Sequence, residues 1–310
     1  MSLPSLVVLV GPTAVGKTEA SLVLAERFGA EIISADSRLL YRGMDIGTAK
    51  PTLEERRRVR HHLIDVADPD EVWSLARVRE AVLLALQDIT GRNRLPLMVG
   101  GTGQYIRAIL EGWEPPPREH DSKIRARLEE EARERGGQAL HARLQLADPE
   151  SAARIDARNV RRVVRALEIQ ALTGTPASAQ RRRAPPAYRT LRLGLTLPRP
   201  VLYARIDGRI ERMLRDRWVD EVRGLLDRGA SPALPAFSAI GYPQIAEVVQ
   251  GRRTLEDAVA EIRKRTRVFV RRQANWFKPN DPSIHWFENQ PGAIEQMEQV
   301  IRGWMAQTAS

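Results

Sequence analysis

The chain contains no cysteine. Disulfides, thiolate nucleophiles and thiolate zinc sites are therefore excluded. Histidine is scarce as well: His61, His62, His120, His141 and His285 are the whole set. Only His61 and His62 are adjacent, and no histidine–carboxylate spacing suggests a transition-metal site. No apolar run approaches the roughly 20 residues that span a bilayer. The opening MSLPSLVVLV has neither a basic leader nor a small-residue cleavage site, so it reads as a buried strand rather than a signal peptide. A cytoplasmic, monomeric protein without membrane association is expected. Acid is in deficit too, with 39 Asp and Glu against 49 Lys and Arg and a net charge of +10. A basic chain gains free energy by displacing counterions from a polyanion, but an arginine-rich codon bias gives the same count. Charge alone leaves both readings open.

Hydrophobic patterning gives the architecture. The 310 residues allow one large domain or two smaller ones, with a substantial core. Leu6 to Val10 is a short valine-rich run suited to a central parallel strand, followed by a helical pattern from Gly16 to about Phe28. Glu31 to Ala35 is a second strand, Arg77 to Ile89 a helix, Leu95 to Val99 a third strand, and a further helix is expected from Gln104. Strands alternating with helices predict an α/β fold with a parallel sheet. Pro115, Pro116 and Pro117 interrupt it. From Ser122 to about Thr173 the sequence is charged and helical with no strand-like run, until a second breaker, RRRAPPA at 181–187. LRLGLTL at 191–197 alternates like a strand, and the remainder reads as mainly helical. The predicted organisation is a core formed by 1–117 and 188–310, interrupted by an all-helical insertion at 118–187.

GPTAVGKT, comprising Gly11, Pro12, Thr13, Ala14, Val15, Gly16, Lys17 and Thr18, fits the P-loop pattern G-x-x-x-x-G-K-[ST] and stands between a predicted strand and a predicted helix. Backbone N–H groups and the helix N-terminus would form an anion-binding concavity. Lys17 would supply a cation to the terminal phosphate oxygens, and the Thr18 hydroxyl a ligand for Mg²⁺. Such a loop does not name a reaction, since most P-loop proteins transfer or hydrolyse a phosphoryl group. A small-molecule kinase and a nucleotide-switched RNA-binding protein both remain compatible with it.

Ligands of open parallel sheets sit beyond the carboxyl ends of the strands. Asp36 is expected at such an end, beside the strand that feeds the P-loop. A carboxylate there can orient an incoming nucleophile and take its proton; an Asp capping a turn is an equally good account of the position alone.

Longer motifs narrow the choice. SADSRLLYRGMDIGTAKP at 34–51 and LMVGGTGQYIRAILEG at 97–112 resemble the signatures of tRNA dimethylallyltransferases, the isopentenyltransferase family. HHLID at 61–65, RALEI at 165–169, RIDGRIERML at 205–214, IGYPQI at 240–245 and RRQANWF at 271–277 agree with it in the same order along most of the chain. The resemblance implies a P-loop α/β core with a helical insertion. It implies that Thr13 to Thr18 hold the diphosphate of dimethylallyl diphosphate rather than ATP, with Mg²⁺, and that the acceptor is adenosine next to the anticodon of tRNA. Asp36 matches the family's catalytic Asp, and Thr102 a threonine near the transferred group. Asp36, Ser37, Arg38 and Leu39 match a segment that contacts tRNA. Arg38 stands where a small Ala is usual, and Gln104 also departs from the common pattern.

Arg205 and Arg209, an i,i+4 pair, would add a clamp on the phosphates; pairing with Asp207 or Glu211 is the alternative. A stacked adenine must be flipped out to react, and Tyr41, Gln104 and Tyr105 are candidates to receive it. The basic tracts Arg158, Arg161, Arg162 and Arg165, and Arg263, Lys264, Arg267, Arg271, Arg272 and Lys278, would hold the RNA backbone. Within RRQANWF, Gln273 and Trp276 join the tRNA set by resemblance.

Overall fold

Val-, Leu- and Ile-rich runs with both faces apolar fold as interior strands of a parallel sheet. In the computed structural model, which describes residues 3–115, 122–180 and 182–307, they form a six-stranded sheet. Pro116, Pro117, His120 and Arg181 lie outside the described residues. The strands are β1 (Ser5–Val10), β2 (Ala30–Ser34), β3 (His61–His62), β4 (Leu95–Gly100), β7 (Arg189–Thr196) and β8 (His285–Glu288), in the order β3-β2-β4-β1-β7-β8. Every pairing is parallel. The strands β5 (Trp113–Glu114) and β6 (Arg182–Arg183) form a separate antiparallel pair.

The order corrects one expectation. β2, which carries Asp36 at its end, does not adjoin β1; β4 lies between them. The strand ends are nonetheless level, because Val10 pairs with Gly100 and Ser34 with Val99. The loop after β4 therefore sits between the P-loop and Asp36.

Two further expectations hold with one added detail each. The run at 191–197 lies in β7 as a strand, but its alternation breaks at Gly194, which is buried like Leu193 and Leu195 because the Trp286 ring packs on it. The C-terminal third is mainly helical, as expected, and His285–Glu288 adds one edge strand, β8. That strand is four residues long with a mixed polar pattern, too short to show a period.

The chain divides into two units, one of Met1–Trp73, Arg77–Leu110 and Pro186–Ser310, the other of Ser74–Ala76 and Glu111–Pro185. In the first, helices α1 (Lys17–Phe28), α2 (Leu53–Arg58) and α4 (Gly103–Leu110) accompany the sheet, with most of α3 (Leu75–Gly91). After β7 follow α8 (Arg199–Arg215), α9 (Trp218–Asp227), α10 (Tyr242–Val249), α11 (Leu255–Gln273) and, after β8, α12 (Ala293–Ala306). The second unit is helical, with α5 (Ser122–Ala147), α6 (Pro149–Arg154) and α7 (Val160–Thr173) around their own core of Leu128, Leu140, Leu144, Val163, Val164 and Leu167. The β5–β6 ribbon is its only strand pair among the described residues. Asp148 caps α6 through Ser151 N and also accepts from Ser178 N and Oγ. Burial pushes its carboxyl upward, but the Ser151 and Ser178 donors prevail and hold it at about 2.

Candidate active site at the carboxyl ends of the sheet

The P-loop follows directly from β1. Gly16 is the N-cap of α1 with φ 102°, a left-handed conformation that glycine adopts without a Cβ penalty. No side chain caps this helix, so its first N–H groups face an anion without competition. Ala14 also has positive φ, at 64°. Such backbone persists where surrounding structure holds it, typically at ligand sites.

That holding comes from residues the sequence did not point to. Asn289, just past β8, donates from Nδ2 to Val15 O at 2.6 Å, and its N–H donates to Thr196 O at 2.9 Å. Its only sequence signal was a polar residue at the end of a short strand that went unrecognised. Arg205 Nη1 reaches Val15 O at 3.4 Å, placing this arginine against the P-loop.

Lys17 Nζ donates to Gly11 O at 2.9 Å and Pro12 O at 2.8 Å. Desolvation pushes its ammonium down to about 8; Asp36 opposes that shift and Arg209 adds to it. Burial also lowers Arg209, helped by Arg212 and opposed by Asp36. Lys17, Arg209 and Asp36 thus share one electrostatic environment. Arg205 and Arg209 are free of the alternative partners, because Asp207 pairs with Arg267 at 2.6 Å and Glu211 with Arg263 at 2.9 Å.

Asp36 lies just past β2. Its Oδ1 accepts from Arg38 N at 2.9 Å, a local turn that fixes the carboxylate while its second oxygen takes no hydrogen bond from the described residues. Ser37 N donates to Thr102 Oγ1 at 3.2 Å, and Thr102 N to Ala35 O at 3.3 Å. Asp36 and Thr102 are therefore brought together by the β2–β4 pairing. Gly100 permits this approach: a Cβ there would collide with the Ala35 carbonyl. Gly100→Ala is expected to cost about 1–3 kcal/mol of stability through overpacking, read as a lower denaturant midpoint; an unchanged midpoint would mean that the two strand ends can part without cost.

Two phenols stand near the acid. Burial pushes Tyr105 up to about 12, with Tyr41, Arg38 and Asp36 as its charged or polar neighbours. Burial likewise raises Tyr41. Both stay neutral at pH 7, but only Tyr105, half-buried, presents ring surface; Tyr41, a candidate to receive the base, is instead buried in the core with 4% exposure. Gln104 is exposed, and Leu39 is half-buried. Arg38 reaches Pro235 O at 3.1 Å.

The expected RNA contacts divide. Arg271 and Arg272 are exposed at the end of α11, and Arg161 and Arg162 are exposed on α7 of the second unit; none of the four forms an ion pair with a described residue. Arg165 instead bonds the fully buried Glu168 at 2.9 Å, alongside Arg125. Arg263 and Arg267 are committed to α8 through Glu211 and Asp207. Gln273, expected at the RNA, is buried with 5% exposure and hydrogen-bonded at both ends of its amide inside the protein. Trp276 is half-buried against Gly103, with the Arg107 guanidinium 5.5 Å from its ring centre. Sequence periodicity marks which residues share a helix face, not which of them find a partner on the next helix.

His61 and His62 are structural, as expected. His61 Nδ1 lies 2.7 Å from Val59 O and His62 Nε2 lies 2.7 Å from Glu31.

Comparison with known proteins places this arrangement. A family model described as IPP transferase matches residues 39–280. The chain is 51% identical over 297 residues to the tRNA dimethylallyltransferase of Roseiflexus castenholzii, covering 96% of this chain and 97% of that protein. Among solved structures, the full-length tRNA isopentenylpyrophosphate transferase of Bacillus halodurans matches with a TM-score of 0.72 at 39% identity, over 98% of each chain. A eukaryotic dimethylallyltransferase acting on tRNA matches with a TM-score of 0.80 at 25% identity, over 97% of this chain and 77% of that one.

Proposed function

Because this chain belongs to the IPP transferase family, we propose that it moves a dimethylallyl group from dimethylallyl diphosphate to the exocyclic amine of the adenosine adjacent, on the 3′ side, to the anticodon of tRNA. The observation that carries this reading is the grouping of Lys17, Arg209, Asp36 and Thr102 at the level ends of β1, β4 and β2.

In the reaction, the amine nitrogen forms a bond to the allylic carbon, the carbon–oxygen bond to diphosphate breaks, and the nitrogen loses a proton. Negative charge develops on the leaving diphosphate, so preorganised donors aimed at it lower the barrier. The uncapped start of α1, Lys17, Arg205 and Arg209 are suited to that task. Asp36, with one oxygen uncommitted, orients the amine and accepts its proton. Thr102 supports the acid through Ser37 and presents its side chain between the two halves of the site. The neutral, half-buried ring of Tyr105 offers an apolar wall to an extruded base and to the prenyl chain, with Tyr41 behind it in the core.

Mg²⁺ fits the donors present. The Thr18 hydroxyl, next to Lys17 in the first turn of α1, is a hard oxygen ligand, and Mg²⁺ is held by one or two such groups together with substrate phosphates and water rather than by a protein cage. When bound it would neutralise diphosphate charge, with Thr18 as its anchor on this chain.

Arg161, Arg162, Arg271 and Arg272, exposed and without an ion pair among the described residues, suit an RNA backbone. Replacing Arg271 and Arg272 together by Ala is expected to weaken tRNA binding and reduce the slope of log affinity against log salt by about 1 for each phosphate no longer engaged. Filter binding across a salt series measures this, and an unchanged slope would remove these residues from the interface.

The function is tested by incubating the protein with tRNA, labelled dimethylallyl diphosphate and Mg²⁺ and measuring the nucleosides by mass spectrometry. Prenylated adenosine is the expected product. Its absence with intact tRNA, or ATP consumption that depends on a small acceptor without RNA, would reject the proposal.

A further inference from the structure

We infer that Gln273 is a positioning residue, a strut whose carboxamide holds the P-loop and the Gly100–Thr102 loop at a fixed separation. The inference rests on the reading of Gly11–Thr18 as a diphosphate grip. Thr13 N donates to Gln273 Oε1 at 2.9 Å, and Gln273 Nε2 donates to Gly101 O at 3.1 Å. One planar amide therefore spans the two loops that carry Lys17 and Thr102. It does so from the last turn of α11, which lies 260 residues along the chain from Thr13 and 172 from Gly101.

Three features make the contact specific. The side chain is buried at 5% exposure, so both bonds form away from competing water. A Cβ at Gly101 would collide with Nε2, so glycine at this position leaves room for the amide. Trp276, one turn on, fills the space over Gly103 and fixes the approach of the chain end. Without the amide, each loop would depend on its own strand end for its position. Buried polar groups left unpaired are costly, so Thr13 N and Gly101 O favour whichever loop spacing lets the amide reach both.

The adjacent Arg271 and Arg272 point to the opposite role, a direct RNA contact, for the whole RRQ segment. The structure separates them: the two arginines are exposed and Gln273 is not. Gln273 thus acts on the diphosphate side, through the loops.

The experiment uses Gln273→Glu, which preserves shape. A protonated Glu offers a carbonyl oxygen to Thr13 N and an O–H to Gly101 O, reproducing both bonds; an ionised Glu accepts only, and sets a charge against the Gly101 carbonyl. Inorganic pyrophosphate binding is measured by calorimetry from pH 5 to pH 8 for the variant and the unaltered protein, with tRNA binding in parallel. Burial at this position disfavours the ionised acid, which keeps Glu protonated at pH 5 and lets it ionise toward pH 8. The ratio of the two pyrophosphate affinities is therefore expected near 1 at pH 5 and to fall about tenfold or more by pH 8, while tRNA affinity stays within about twofold. A ratio independent of pH, or a loss confined to tRNA binding, would overturn the strut. Gln273→Met, which fills the space with no hydrogen bonds, is expected to show the weak pyrophosphate binding at every pH; normal binding there would also overturn it. Neither measurement involves turnover, so absence of prenyl transfer by the unaltered protein would count against the proposed reaction alone.

Discussion

Asp36→Asn is expected to lower the rate of prenyl transfer by roughly 10²–10⁴-fold while tRNA affinity stays within about twofold of the unaltered protein. Asn keeps one of the two things that Asp supplies. Asp36 Oδ1 accepts from Arg38 N, and the amide oxygen of Asn can accept the same bond, so the turn that places Ser37, Arg38 and Leu39 survives. Ser37 N also remains available to Thr102 Oγ1. What Asn loses is the negative charge and the capacity to take a proton. Asp36→Ala removes the turn as well, so it is expected to lose transfer by at least as much and to weaken tRNA binding in addition. Single-turnover transfer of labelled prenyl group with saturating tRNA separates the two effects. If Asn turns over at the normal rate, the carboxylate is a turn former and the proton leaves by another route.

The same acid illustrates how far the sequence reached. Its place at the end of a strand was legible because EIIS is a clear apolar run that ends abruptly. Its neighbours were not, because strand order is set by how the crossovers pack rather than by any local pattern. Placing β4 between β2 and β1 is what makes Thr102 the partner of Ser37. The P-loop was legible in full, since its glycines, lysine and threonine are contiguous. Its supports were not: Asn289 and Gln273 act across 274 and 260 residues of sequence. The net positive charge was a fair pointer to a polyanion but a poor guide to individual residues. Arg165, Arg263 and Arg267 are committed to carboxylates within the protein, whereas Arg271 and Arg272 pair with none among the described residues. Arginines at i and i+4 share a face whether that face meets RNA or an acidic helix, and only the packed structure distinguishes the two.

Other long motifs acquire a structural account in the same way. The Lys50 ammonium, almost fully buried, binds Asp45 at 2.5 Å, Asp65 at 2.6 Å and Tyr41 O at 2.7 Å. Glu221 accepts from the backbone N–H groups of Asp45, Ile46 and Gly47 and from the Tyr242 hydroxyl. GMDIGTAK, HHLID and IGYPQI are thus parts of one clamp on the chain that follows Asp36. A buried ammonium with two carboxylates and a carbonyl is stable as a set, and removing one member leaves the rest uncompensated.

Lys17→Met is expected to lower kcat/KM for the prenyl diphosphate by roughly 10²–10³-fold and, at pH 7, to raise rather than lower the melting temperature. The gain in stability follows from desolvation. In the folded protein the ammonium is pushed down to about 8 from an ordinary 10.5. Between those values the unfolded chain binds more protons than the folded one, so the contribution of Lys17 to stability rises with pH across that window. Below pH 8 the fold bears the full cost of burying the charge, and Met removes it. Above about pH 10.5 the stability advantage of Met should vanish. The same shift predicts how the diphosphate binds. An arriving anion favours the ammonium, so between about pH 8 and pH 9.5 binding should draw a proton onto Lys17. Calorimetry of pyrophosphate at pH 8.5 in two buffers of different ionisation enthalpy reads that uptake, and the difference between the unaltered protein and Lys17→Met isolates the lysine from the titration of pyrophosphate itself. Equal proton uptake by the two proteins would show that Lys17 is already charged before the anion arrives, and that its role is placement of a fixed cation rather than a charge completed by the substrate.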